Sequence, residues 1–315
     1  MTATTNAISG ASHSIEEVQI CPLCSGRSLK RLPTPRRWIG REVFRRDEAY
    51  GLRRCKRCEL AFVDPRPSAS RLNAFYASED YVCHAPTAGS AKTAEFLLEC
   101  VARYGPYEGR RFLDFGCGGG FLLSAARDQR WDAVGFDVGE RAIASCESQG
   151  LAVTSDIRSV ARNSVDVIFL NHVFEHLAEP AAVLSECRRI LGKNGKLFIV
   201  VPNLAGMRAR LSFPFLSRYF NVDERYRAFP IHLFYYSPRT LGQTIEKNGF
   251  RIAGMETFGV GLDEFIDRAE VRRPAPDQNR HGNGKKTSSA FKRSVKRQLF
   301  GAGLGENLLA VASPV

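Results

Sequence analysis

Arg111-Phe112-Leu113-Asp114-Phe115-Gly116-Cys117-Gly118-Gly119-Gly120-Phe121 is a short apolar run that ends near an acid and passes directly into glycines. The helix-compatible residues Leu122-Leu123-Ser124-Ala125-Ala126 follow. That order predicts a strand, a tight turn and a helix start. Glycine stands where a side chain would block either the turn or a ligand lying close to the backbone. In an open parallel sheet, the crevice at the carboxyl end of such a strand is where the ligand binds.

The pattern continues on both sides. Apolar runs predict strands over 112–115, 133–137, 151–153, 165–170, 196–201, 250–258 and 308–312. Between and before them, helices are expected over 92–104, 120–127, 140–146, 180–191 and 240–248. Repeated alternation of apolar strand and helix is a doubly wound α/β pattern. Asp137 closes the second strand about twenty residues after the glycines, where a carboxylate can accept both hydroxyls of a ribose. NAD would satisfy that geometry too, but its G-x-G-x-x-G fingerprint would need glycine at Phe121.

The short glycine spacing with Asp114 and Asp137 resembles class I S-adenosylmethionine-dependent methyltransferases, in order from about residue 108 to 202. The resemblance implies a seven-stranded Rossmann-like sheet. It assigns Gly116 and Gly118 to the methionine part of the cofactor and Asp137 to its ribose. Asp156 and Ile157 fall at the adenine, and Asp114, Cys117, Val138 and Asn171 complete the expected cofactor set. Two alternatives stay open: Asp156 as a helix cap, and Asp114 serving only the loop backbone.

Asn171-His172-Val173-Phe174-Glu175-His176-Leu177 resembles the family segment beside the reactive methyl, and Phe229 to Leu241 resembles its histidine-aromatic-Ser-Pro-x-x-Leu stretch. The catalytic candidates are therefore His232, His176 and Glu175. His232 is the expected general base, because an imidazole titrates near neutrality and its neutral form takes a proton. At helical spacing, His172, Glu175 and His176 would also make a divalent-ion triplet. The ubiquinone-pathway O-methyltransferases resemble this segment and are associated with a metal there. They tend to carry an acid where this chain has His172, so no catalytic divalent ion is expected.

Near the start, Cys21-Pro22-Leu23-Cys24 is followed after thirty residues by Cys55-Lys56-Arg57-Cys58. Two such turns bring together four thiolates, the number that one structural zinc ion takes. A tyrosine-rich segment with a proline pair follows. This front end resembles a bacterial methyltransferase subgroup common in sugar, polysaccharide and secondary-metabolite pathways. Phe75, Tyr76 and Tyr81 either line its pocket or pack the linker onto the domain.

The expected organisation is an unstructured 1–18, a zinc ribbon over 19–66, a linker with a cofactor-covering helix over 67–107, and a methyltransferase domain over 108–315. The domain carries a lid insertion at 203–236 and a basic insertion at 259–300. A basic helix near 285–299 would be available to an anionic surface or the core. At 315 residues, 44% hydrophobic and 25% charged, the chain can hold one large core and a small appendage. Residues 1–6 lack the basic flank and apolar centre of a secretory signal, which makes a cytoplasmic protein the default.

The net charge of +12 favours an anionic partner: a phosphate-bearing or nucleotide-linked acceptor, or nucleic acid. The expected reaction is methylation of a hydroxyl, or else a carbon, on a small sugar-like or secondary-metabolite acceptor. The competing readings are a zinc-ribbon RNA methyltransferase and a non-catalytic adaptor. No Asn-Pro-Pro-Tyr-like segment for a flipped base follows strand four, and the cofactor anchors are intact.

Overall fold

The computed structural model describes residues 15–34, 44, 49–77, 88–107, 109–211, 228–259 and 300–315. Most of residues 35–48, Tyr81 with its neighbours, 212–227 of the lid segment, and 260–299 with the basic helix expected near 285–299 lie outside the described residues.

The front of the chain forms β1 (Ile15–Glu16), β2 (Leu29–Leu32), β3 (Leu52–Cys55), β4 (Ala61–Val63), β5 (Arg66–Pro67), α1 (Ala69–Ala77) and α2 (Ala88–Ala102). The α/β part runs β6 (Arg111–Phe115), α3 (Phe121–Asp128), β7 (Asp132–Phe136), α4 (Glu140–Ser148), β8 (Val153–Thr154), β9 (Val165–Asn171), α5 (Pro180–Ile190) and β10 (Leu191–Pro202). It continues through α6 (Met207–Leu211), β11 (Phe234–Tyr235), α7 (Pro238–Lys247), β12 (Phe250–Phe258) and β13 (Asn307–Pro314). The main sheet has seven strands in the order β12-β13-β10-β9-β6-β7-β8, with β13 antiparallel to both neighbours and the pairs from β10 to β8 parallel. The expected Rossmann-like α/β fold is present.

Strand residues alternate between two apolar faces, as a sheet covered on both sides requires. Phe112, Val167, Phe169, Phe198 and Val200 pack with Leu97, Leu98 and Val101 of α2 and Leu122 of α3. Leu113, Ile168, Leu170, Leu197 and Ile199 face the opposite way, onto Leu184 and Ile190 of α5 and Leu241 and Ile245 of α7. Helix α7 starts where the sequence stops it from starting earlier. Ser237 and Thr240 each accept the other's backbone N–H in a capping box, and Pro238 needs no donor in the first turn. Strand β10 begins earlier than expected, because Leu191 pairs with Val165 before the register breaks and resumes at Lys196.

Two further elements depart from the expected layout. Ile15 and Glu16, inside the stretch expected to be unstructured, pair with Pro67 and Arg66. The ribbon forms a four-stranded sheet in the order β11-β4-β3-β2, so the segments expected as a ribbon and as a lid share one sheet. Ribbon residues Leu52, Leu60 and Phe62 belong to the same core cluster as Phe174, Phe229 and Tyr236. No helix among the described residues is long and apolar enough to cross a membrane.

Phe198 is fully buried, its ring stacked on Phe169 at 5.6 Å between centroids. Phe198→Ala should cost about 3–5 kcal/mol in a urea titration followed by circular dichroism, because a rigid centre collapses poorly around the lost ring.

Candidate active site

The glycine turn after β6 adopts the conformation its composition demands. Gly116, Gly118 and Gly120 have φ of 76°, 51° and 81°, in the left-handed region that favours glycine. A Cβ at Gly116 would sit 2.4 Å from Val173 Cγ2, so the loop is pressed against the segment that follows β9. A Cβ at Gly118 would meet nothing within 4 Å and so would point into open space.

Asp137, beyond β7, is buried, and its carboxylate accepts from Gly118 N at 2.9 Å and Gly139 N at 2.8 Å. It therefore fixes the loop as well as standing at the expected ribose position. Cys146 Sγ donates to Gly118 O at 3.4 Å and lies 3.8 Å from Cys117 Sγ, making a thiol floor under the turn. Asp114 is buried, and desolvation, with Cys146 and Asp137 nearby, pushes its carboxyl up to about 8. It is thus largely protonated at neutral pH.

The remaining cofactor candidates are placed but not all drawn together. Val138 is 63% exposed beside Asp137, and Ile157 is half-buried against the main core. Asp156 caps the short 3₁₀ turn Ile157–Ser159 by accepting from Arg158 N at 3.1 Å, and that bond with the Arg158 guanidinium holds its carboxyl below the usual range. Asn171 ends β9 and is half-buried.

After β9 the chain enters a 3₁₀ turn over Phe174–His176, not the α-helix on which His172 and His176 would share a face. His172 is exposed with φ of 55°. Glu175 is 1% exposed. Burial alone would raise its carboxyl. The His172 Nδ1 hydrogen bond at 3.3 Å and the imidazoles of His176, His172 and His232 around it outweigh burial and hold it down at about 2. It is an ionised carboxylate inside the protein.

His232 lies 57 residues along the chain, and its Nε2 is 3.9 Å from Glu175 Oε1. The rings of His176 and His232 meet edge to face at 4.6 Å. His176 is half-buried with Nδ1 enclosed and, among the described residues, without a hydrogen-bond partner. Desolvation lowers its pKa against the pull of Glu175, so it is neutral near pH 7.

Local spacing signals neither the Glu175–His232 approach nor its backbone counterpart, in which Leu233 N donates to Glu175 O at 2.9 Å. Tyr76 joins the two halves of the site. Its ring meets His176 at 6.3 Å, and its carbonyl lies 3.8 Å from where a Cβ on Gly139 would be. Glu175, His176 and His232 also bring ligand atoms within 4.8 Å of one another, a different set from the His172–Glu175–His176 triplet expected of a helix.

The four ribbon cysteines are brought together, with Cys21 Sγ 3.4 Å from Cys58 Sγ, Cys24 Sγ 3.5 Å from Cys55 Sγ, and all four sulfurs within 4.8 Å. A separate cavity of about 990 Å³ opens at the amino ends of β6, β9 and β10, lined by Arg111, Arg162, Asp166, Arg188 and Lys193. It lies at the opposite end of the strands from the glycine turn and holds none of these residues.

A family model described as a methyltransferase domain matches residues 90–253. The ubiquinone biosynthesis O-methyltransferase of Parvibaculum lavamentivorans is 35% identical over 120 residues, covering 35% of this chain and 47% of that protein. The protein of the same name from Methylococcus capsulatus is 28% identical over 178 residues, 51% of this chain and 72% of that one. The chain thus spans about half the length of the first of these relatives. A solved S-adenosylmethionine-dependent methyltransferase from Archaeoglobus fulgidus is 22% identical over 70% of this chain and 94% of that one, with a TM-score of 0.46. The expected sugar-like or secondary-metabolite acceptor is corrected by these relatives, whose names place them in ubiquinone biosynthesis.

Gly118→Val puts a branched side chain into the open space, and Asp137→Ala removes the carboxylate that fixes the loop. Calorimetry on each folded variant should show S-adenosylmethionine binding weakened at least about tenfold, since one lost charge-assisted bond is worth roughly 1.5–3 kcal/mol. Unchanged affinity in both would remove this loop from the cofactor site.

Proposed function

We propose, from the premise that the chain belongs to the methyltransferase-domain family matched over residues 90–253, that it methylates a ring hydroxyl of a phenolic, quinone-precursor acceptor. The observation that carries this reading is the buried, ionised Glu175 beside His176 and His232, next to the glycine turn that Val173 touches. S-adenosylmethionine supplies an electrophilic methyl carbon on a positive sulfur.

The chain's own residues have three tasks. Gly116, Gly118 and Asp137 shape the cofactor side, with Asp156 and Ile157 toward the adenine. Tyr76, His176, His232 and Tyr235 present a largely aromatic acceptor side suited to a flat ring. His232 takes the hydroxyl proton as the oxygen–methyl bond forms. His232 Nε2 stands 3.9 Å from Glu175 Oε1, so the imidazolium is stabilised where it arises. A phenol titrates at about 10, within reach of an imidazole in a way an alcohol is not.

Cys21, Cys24, Cys55 and Cys58 are, in this reading, the ligands of one structural zinc ion. Tetrahedral zinc–sulfur bonds of about 2.3 Å put sulfurs roughly 3.8 Å apart, close to the 3.4 and 3.5 Å of the two nearest pairs, with all four within 4.8 Å. Four protein ligands leave no open position for chemistry. A divalent ion on Glu175, His176 and His232 is the second reading of the site, favoured by their mutual approach within 4.8 Å.

With a catechol and S-adenosylmethionine, His232→Ala should lower turnover about 10²–10⁴-fold while cofactor affinity stays within about twofold. Turnover near wild type would unseat His232, and turnover abolished by chelating added magnesium would favour the ion. Metal analysis should find one zinc per chain, lost when Cys24 and Cys58 are both changed to Ser and kept in Cys117→Ser. Zinc-free wild-type protein, prepared without chelator, would end the ribbon assignment.

A further inference from the structure

We infer that the four-cysteine ribbon is the positioning element of the catalytic histidine: the metal end of its sheet sets where His232 stands. The inference rests on the reading of His232 as the base and on the cysteines as metal ligands. It extends both, because neither reading connects the metal to the chemistry.

The connection is a continuous run of backbone pairs. Strand β3 ends on the ligand Cys55, and Leu52, Arg53 and Arg54 pair with Val63, Phe62 and Ala61 of β4. Phe62 and Ala61 pair in turn with Phe234 and Tyr235 of β11. Val63 N donates to Leu233 O at 2.9 Å, and Leu233 N donates to Glu175 O at the same distance. His232 precedes Leu233, so the base is the residue next to a strand clamped between the ribbon and the catalytic carboxylate's own backbone.

Two side chains add separate ties. Lys247 Nζ, at the end of α7, donates to Leu23 O inside the first cysteine turn at 2.8 Å. Arg66, just beyond β4, donates to Ala178 O at 3.1 Å, anchoring the far end of the Glu175–His176 turn. The His232 segment is thus held by β4 of the ribbon sheet, and the end of the Glu175–His176 turn by Arg66 of β5, which follows that sheet. The cofactor loop is held differently, by Asp137, by Phe136 O accepting from Gly116 N, and by Cys146.

A two-residue strand such as β11 has too few bonds to hold its own geometry. Its order comes from β4, and β4 takes its own from β3, which ends on the ligand Cys55. Losing the metal should loosen 231–235 before it loosens the parallel sheet.

Hydrogen exchange with mass spectrometry on zinc-loaded and zinc-stripped full-length protein reads this directly, without a methyl acceptor. Peptides containing 231–235 should exchange at least about tenfold faster on stripping. Peptides covering β6 and β9 should keep their protection, S-adenosylmethionine affinity should stay within about twofold, and added zinc should reverse the change. Cys24→Ser, which keeps three ligands, should give the same pattern more mildly. Unchanged exchange at 231–235, or an equal rise across β6 and β9, overturns the inference; the latter would make the ribbon a general folding element. If the exchange pattern holds but no phenolic acceptor is methylated by loaded protein, the acceptor reading falls and the structural coupling stands.

Discussion

A carboxylate that stays ionised inside the protein is the constraint on which the rest depends. Removing a charge from water costs several kcal/mol unless partners compensate. Glu175 finds its partners on two stretches that are distant in sequence: His172 and His176 beside it, and His232 from within the lid segment. The approach of His232 to it brings residues 231–236 back beside the turn that follows β9. Once there, their backbone needs bonding partners of its own, and these are Glu175 O on one side and β4 on the other. The small sheet is thus built into the wall that carries Glu175, His176 and His232 rather than appended to it.

The two sides of the crevice are consequently stabilised by different means. On the cofactor side, positive-φ glycines, Asp137 and a buried thiol pair fix a backbone turn, with Asp114 neutral underneath. On the side of Glu175, His176 and His232, charge and aromatic contact hold side chains whose backbone comes from three parts of the chain. Val173 against Gly116 and Tyr76 between Gly139 and His176 are where the sides touch. A change on one side can therefore alter turnover without altering cofactor affinity, or the reverse.

What could be read from sequence follows the range of the interactions involved. The parallel strands were legible because burial on both faces makes each a continuous apolar run, and the glycine turn because only glycine takes its backbone angles cheaply. The cysteine spacing named a four-thiol cluster, but not the surface its sheet would join. β11 is two residues long and has no pattern of its own; only β4 makes it a strand. The helix face that His172 and His176 could have shared does not form, because Val173 already has non-helical angles and the turn closes as 3₁₀. The acceptor was misread because resemblance in the front end carries no information about the group that enters the crevice.

The most direct test is a crystal structure of the chain with S-adenosylhomocysteine and a catechol bound. The account predicts the nucleoside product along Gly116, Gly118 and Asp137, and a ring hydroxyl within about 2.6–3.2 Å of a His232 ring nitrogen, the reach of a general base. A hydroxyl turned away from His232, or a metal ion seated between Glu175, His176 and His232 and bound to that oxygen, would contradict it.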